Sequence, residues 1–156
     1  MKNILFIISI VIIVFSCKND SKLSEEKVET KEEIVLPKLE PNRYNVAFLI
    51  MDGTYNTELT APFDIFQHTI FREGIKPMNV FTVANTNDPI TTFEGIRILP
   101  DFNYLSDELP KIDILVVPSA ENHLGKDLED EAMINFVKQV DKEAQLITSH
   151  CDGAFV

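Results

Sequence analysis

The sequence predicts an α/β fold, a doubly wound parallel sheet with helices on both faces. Three observations carry that expectation. Apolar runs alternate with amphipathic segments throughout residues 44–156, as successive βαβ units require. The runs Asn45–Met51 and Ile112–Val117 are nearly continuous in apolar residues, which suits strands buried on both faces. A last strand, Ala144–Ser149, leads into His150-Cys151-Asp152-Gly153, a strand-to-helix turn of the kind that presents a nucleophile.

The chain opens with Met1-Lys2-Asn3 and a twelve-residue core, Ile4 to Phe15, apolar except for Ser9. A basic start, a short apolar core and a small residue before the cut describe an export signal. At about 1.5 Å per helical residue such a core is too short to cross a bilayer comfortably. Val14-Phe15-Ser16-Cys17 resembles a bacterial lipobox, with Phe15 bulkier than usual, so residues 1–17 are expected to be a lipoprotein signal, cut before Cys17, which is lipidated and becomes the new N-terminus. That places the protein in the bacterial cell envelope, anchored to a membrane by lipid. Residues 18–43 carry six basic and seven acidic side chains and no aromatic one. They cannot offset their ordering entropy by apolar burial, and a disordered or transiently helical tether is expected.

From Tyr44 onward the elements follow in order. Asn45–Met51 is a strand closed by Asp52-Gly53. Thr57 is placed to cap a helix with Leu59, Phe63, Phe66 and Ile70 on one face, ending near Gly74 and kinked or bulged at Pro62. Met78–Val83 is the second strand, and Ile90–Thr92 with Ile96–Leu99 form a hairpin or an excursion about Glu94-Gly95. Ile112–Val117 ends at Pro118. Leu128–Val140 reads as a helix with Ala132, Met133, Phe136, Val137 and Val140 inward. The chain stops at Val156, five residues past Cys151, within the helix the elbow opens; the domain is expected to continue beyond it.

Residues 44–156 hold 7 basic and 18 acidic side chains and carry the net charge of −11. That surface repels phosphate backbones, which argues against nucleic-acid binding. With Cys17 lipidated, Cys151 is the single thiol of the mature chain, and an unpaired thiol in an oxidising compartment calls for a function. His150, Cys151 and Asp152 are too closely spaced to ligate one zinc, and no Cys-x-x-Cys occurs, so no metal or other cofactor is expected.

Ligands of open parallel sheets sit at the carboxyl ends of the strands. The loops leaving those ends bring forward Glu58, His123 and Cys151, with backbone amides around Ser119 and Ala120: a carboxyl, a thiol and an oxyanion cradle. His150 points away from the Cys151 face by strand alternation, and His68 lies on a helix surface. Asp152 and a charged Glu58 would both oppose a thiolate, so a working Glu58 has to be protonated and hydrogen-bonded to sulfur.

Four blocks, Phe48–Gly53, Glu58 with Pro62 and Asp64, Asp113–Pro118 and Cys151–Ala154, together resemble the ThiJ/PfpI superfamily of the class I glutamine amidotransferase-like group. Thr92, Gly95, Ile98, Pro100 and Asp101 are closest to the branch with isonitrile hydratases and the sensor domains of some transcription regulators. The resemblance implies a flavodoxin-like fold, with Cys151 as nucleophile and Glu58 contacting the thiol. It further implies that amides near Ser119 and after Cys151 stabilise an oxyanion, and that homodimers are a common assembly. Members usually carry paired glycines where Ser119-Ala120 stand, which predicts a differently shaped loop here; a histidine many members add after the elbow would lie past Val156. A hydratase or hydrolase acting on a small electrophile is the leading expectation. A redox-sensing or ligand-binding protein is the alternative.

Overall fold

The computed structural model of the protein describes residues 36–156. The expected signal peptide, the lipidation of Cys17 and most of the tether lie outside the described residues. Among the described residues no helix is long and apolar enough to cross a membrane.

Five parallel strands form the central sheet: β1 (Tyr44–Leu49), β2 (Met78–Ala84), β5 (Phe102–Asn103), β6 (Ile114–Val117) and β7 (Leu146–Ser149), in the order β5-β2-β1-β6-β7. β3 (Ile90–Thr91) and β4 (Arg97–Ile98) pair antiparallel as the separate hairpin that the Glu94-Gly95 tip predicts. The central order, with β1 between β2 and β6, is the flavodoxin-like arrangement.

Strand alternation decides which face each side chain serves. In β1, Val46 and Phe48, with Ile50 just beyond, enter one core together with Leu59, Phe63 and Phe66 of α1 (Asn56–Gln67). Ala47 and Leu49 enter a second core with Met133 and Phe136 of α2 (Glu131–Asp141). β2 and β6 divide the same way: Phe81, Val83, Leu115 and Val117 join the α2 core, and Val116 joins the α1 core. Each face of the sheet therefore packs on its own helix, and the fold is doubly wound.

Element boundaries differ from the expectations in instructive places. α1 begins at Asn56, with Tyr55 in the capping position and no side-chain cap. The Asn56 amide is met from outside by Glu94 Oε2 at 3.1 Å, so Thr57 is not needed as a cap and lies inside the helix. The helix continues through Pro62 to Gln67, then tightens to a 3₁₀ turn over His68–Phe71. That change of period carries Ile70 off the buried stripe, and it is 45% exposed. α2 starts three residues later than expected because Asp130 caps it, accepting from the Met133 amide at 3.0 Å; Leu128 falls in a preceding 3₁₀ turn, and Ala132 is exposed. β5 has no periodic signal in the sequence. It is two residues long and is held by Asp101, whose Oδ2 accepts from the amide and hydroxyl of Thr82 at 2.7 and 2.9 Å.

The last residues of the expected tether are docked. Asn79 accepts from the Glu40 amide at 3.1 Å and donates to the Glu40 carbonyl at 2.9 Å, and Leu39 packs on the α2 core.

Candidate active site

β1, β6 and β7 are adjacent in the sheet and run in the same direction, so the segments leaving their carboxyl ends meet at one rim. The segment after β1 is closed by Thr54, whose hydroxyl donates to the Met51 carbonyl at 2.8 Å and accepts from the Met51 amide at 3.1 Å. Gly53 sits at φ +82, and a Cβ there would lie 3.0 Å from the Glu121 Cβ, so both backbone and space call for glycine. This segment bridges antiparallel to the one after β6: Tyr55 N–H donates to Ser119 O and Glu121 N–H to Gly53 O, both at 3.0 Å. The bridge sets the first turn of α1 against Ser119.

Glu58 projects from that turn, half-buried, and its Oε2 accepts from the Ser119 amide at 2.9 Å. The structure therefore brings Glu58 and Ser119 together, but gives the Ser119 N–H to a carboxyl rather than leaving it for an oxyanion. Thr54 and Ala120 face each other between the two bridge bonds, a position whose own amides point out of the ladder. The Thr54 amide turns back to Met51 O at 3.1 Å, and the Ala120 N–H is left directed away from Thr54. Ser119 and Ala120 are each 1% exposed, and neither has a positive φ, so the loop accommodates side chains where glycines are usual without backbone strain. The Ser119 hydroxyl is buried without a protein partner among the described residues.

The third segment is the elbow. His150 is extended, at φ −117, ψ 135, and its amide donates to Val117 O at 3.0 Å. Cys151 then turns to φ +46; among the described non-glycine residues only Asn42 is also positive. A side chain in that region costs roughly 1–2 kcal/mol. Cys151 is exposed, and its sulfur lies 3.7 Å from Asp152 Oδ1. A 3₁₀ turn over Cys151–Phe155 follows, with the Gly153 amide donating to His150 O at 2.8 Å. Gly153 is buried where a Cβ would collide with the Val117 carbonyl oxygen and lie 3.0 Å from that of Pro118. Glycine is required here by space alone, because the elbow lies directly on the end of β6.

His123 does not line an open pocket. It is fully buried, with Nε2 2.9 Å from Pro118 O and Nδ1 3.0 Å from Asp127 Oδ2, because the loop folds around its ring. His150 is half-buried, and His68 lies on the surface against Asp64. Among the described residues no cluster of three or more His, Cys, Asp or Glu side chains is arranged to hold a metal ion.

Sequence reasoning missed what the hairpin does. Its strand and tip fasten the first segment: Gly53 N–H donates to Thr91 O at 2.8 Å, Thr91 N–H to Asp52 Oδ1 at 2.7 Å, and Phe93 N–H to Thr54 O at 3.1 Å. The Tyr55 and Phe93 rings pack with centroids 4.9 Å apart, tilted by 49°. Glu94-Gly95 signalled a turn, but nothing local signalled where it docks. At the same rim a cleft of about 330 Å³ opens beyond β1 and β2, lined in part by Asp52, Asn85, Asn122 and Asp127. Tyr104 also borders it, with its phenol acidity weakened by burial and by the negative charge of Asp130.

Comparison with known proteins places this geometry. The DJ-1/PfpI family model matches residues 44–156. An isonitrile hydratase of Pseudomonas putida is 24% identical over 111 residues, covering 71% of this chain and 45% of that protein. The crystal structure of a THiJ/PfpI family protein from Pseudomonas syringae superposes with a TM-score of 0.57 at 22% identity, over 77% of this chain and 50% of that one. A DJ-1 superfamily protein from Salmonella typhimurium gives 0.59 at 22% identity, over 72% and 58%. The chain thus spans about half the length of the relatives it matches.

Proposed function

Because the chain belongs to the DJ-1/PfpI family, we propose that it is a cysteine-dependent hydratase or hydrolase acting on a small electrophilic substrate, with Cys151 as nucleophile. The observation that carries this reading is the elbow: an exposed sulfur on a left-handed backbone, at the rim where Glu58 and the Ser119-Ala120 loop lie. Strain of this kind persists where the surrounding structure imposes it, and such places are often reactive sites. The similarity to an isonitrile hydratase supports the choice of reaction class.

For an isonitrile, Cys151 Sγ would add to the terminal carbon while that carbon takes a proton from the Glu58 carboxyl and the thiol proton replaces it on Glu58, giving a thioimidate. Water would then add to the same carbon, passing a proton to Glu58 as Glu58 protonates the nitrogen, and collapse, with the hydroxyl proton going to sulfur, would expel the thiol and release an N-substituted formamide. Glu58 Oε2 is held by the Ser119 amide, which fixes the carboxyl and leaves its other oxygen to carry the proton. The Ala120 N–H and the amide after Cys151, that of Asp152, are the donors proposed for a developing negative charge. Asp152, hydrogen-bonding partner of the thiol in the resting state, would have to yield before attack.

The same reading anchors the protein in the cell envelope through lipid on Cys17, with residues 18–43 largely serving as the tether.

Replacing Cys151 with Ala in the full-length protein is expected to abolish turnover of simple alkyl isonitriles, amides or aldehydes while leaving the fold intact; retained turnover would refute the mechanism. A second reading, a redox sensor, is favoured by the exposure of Cys151 alone. Intact mass after mild peroxide separates the two. One oxygen gained selectively at Cys151, reversed by thiol and with no turnover of any of these substrates, would support the sensor.

A further inference from the structure

Resting on that reading of the rim, we propose that His123 is a positioning residue: it clamps the peptide plane whose other end holds Glu58. A trans peptide is a rigid plane with its carbonyl oxygen and its N–H pointing in opposite directions. The plane joining Pro118 to Ser119 is gripped on both sides. Its oxygen accepts from His123 Nε2 at 2.9 Å, and its N–H donates to Glu58 Oε2 at 2.9 Å. Releasing either grip lets the plane rotate about the bonds flanking it, and the other contact is lost with it.

The clamp is built for rigidity. His123 is 0% exposed, so water cannot replace a lost partner on the ring. A carbonyl only accepts, which assigns the Nε2 hydrogen to the Pro118 contact. Nδ1 then faces Asp127 Oδ2 at 3.0 Å, and that contact is a hydrogen bond only when a second proton lies between ring and carboxylate. Asp127 is itself tied down, its amide donating to Asn122 O at 3.2 Å, and the Gly125 amide shares that acceptor at 2.9 Å. The His123 amide donates to Ala120 O at 3.2 Å. Residues 118–127 are thus wound around one imidazole, and its outward nitrogen grips the plane next to the site.

The test reads the Ser119 amide directly and needs no substrate, so its failure is separate from any failure of the proposed chemistry. Hydrogen exchange is followed by NMR on the full-length protein and its variants. In H123A the Ser119 amide is expected to exchange at least roughly tenfold faster, the effect of losing one ordinary hydrogen bond, while the amides of Val46–Leu49 in β1 keep their protection. D127A is expected to act in the same direction, and it serves as the test if H123A does not fold. D127N should restore protection, since an Asn amide can donate to an unprotonated Nδ1 while Nε2–H stays on Pro118. Unchanged Ser119 exchange in folded H123A or D127A would overturn the proposal. So would acceleration spread evenly over β1, which marks a merely structural histidine.

Discussion

Cys151 combines two properties that a buried structural cysteine lacks: its side chain is exposed and its backbone is left-handed. The second can be weighed without any chemistry. Glycine adopts φ near +46 without penalty and alanine does not, so C151G is expected to be more stable than C151A by about 1 kcal/mol in urea unfolding. Equal stability would mean that the elbow is not strained. Gly153 is the complementary case. Its missing side chain admits the Val117 and Pro118 carbonyls, so G153A should cost about 1–3 kcal/mol or push the elbow off β6. An unchanged urea midpoint would contradict the close approach. Both residues were legible in the sequence, because a cysteine followed at the second position by glycine after an apolar strand is a local pattern. His123 was legible only as a loop histidine. Its burial depends on Pro118 and Asp127 folding around it, a tertiary outcome that no local pattern encodes.

At the scale of elements, apolar runs located every long strand, since burial on both faces leaves little choice of residue in β1, β2 and β6. Helix ends were less legible. Glu94 meets the first amide of α1 from a distant hairpin, whereas Asp130 caps α2 locally, a signal the sequence carries. β5 is not legible because two residues make no periodicity; its place is fixed by Asp101 and by the chain beyond it. There the Tyr104 ring stacks on Phe136 of α2, 4.4 Å apart with an 11° interplanar angle. Phe136 therefore joins the β5 edge to the α2 core. F136A is expected to destabilise the domain by about 3–5 kcal/mol in urea unfolding. A loss under 1 kcal/mol would mean that the helix packs there without depending on the ring.

Across the whole molecule the acidic surface sets behaviour that no single contact controls. With a net charge of −11, self-repulsion opposes compaction and falls as salt screens it. Raising salt from about 0.01 M to about 0.15 M is expected to raise the melting temperature. A falling melting temperature would show that attractive ion pairs dominate instead. The rim where β1, β6 and β7 end was legible as three loops, but their meeting depended on a strand order that the sequence did not state. The proposed mechanism requires that Cys151 become covalently bonded to substrate during turnover. Intact mass spectrometry of the full-length protein through a single turnover with a simple alkyl isonitrile, with peptide mapping, tests it most directly. A transient adduct on Cys151 that decays as the formamide accumulates is the predicted result. Formamide formed equally well by C151A, with no adduct on that sulfur, would contradict it.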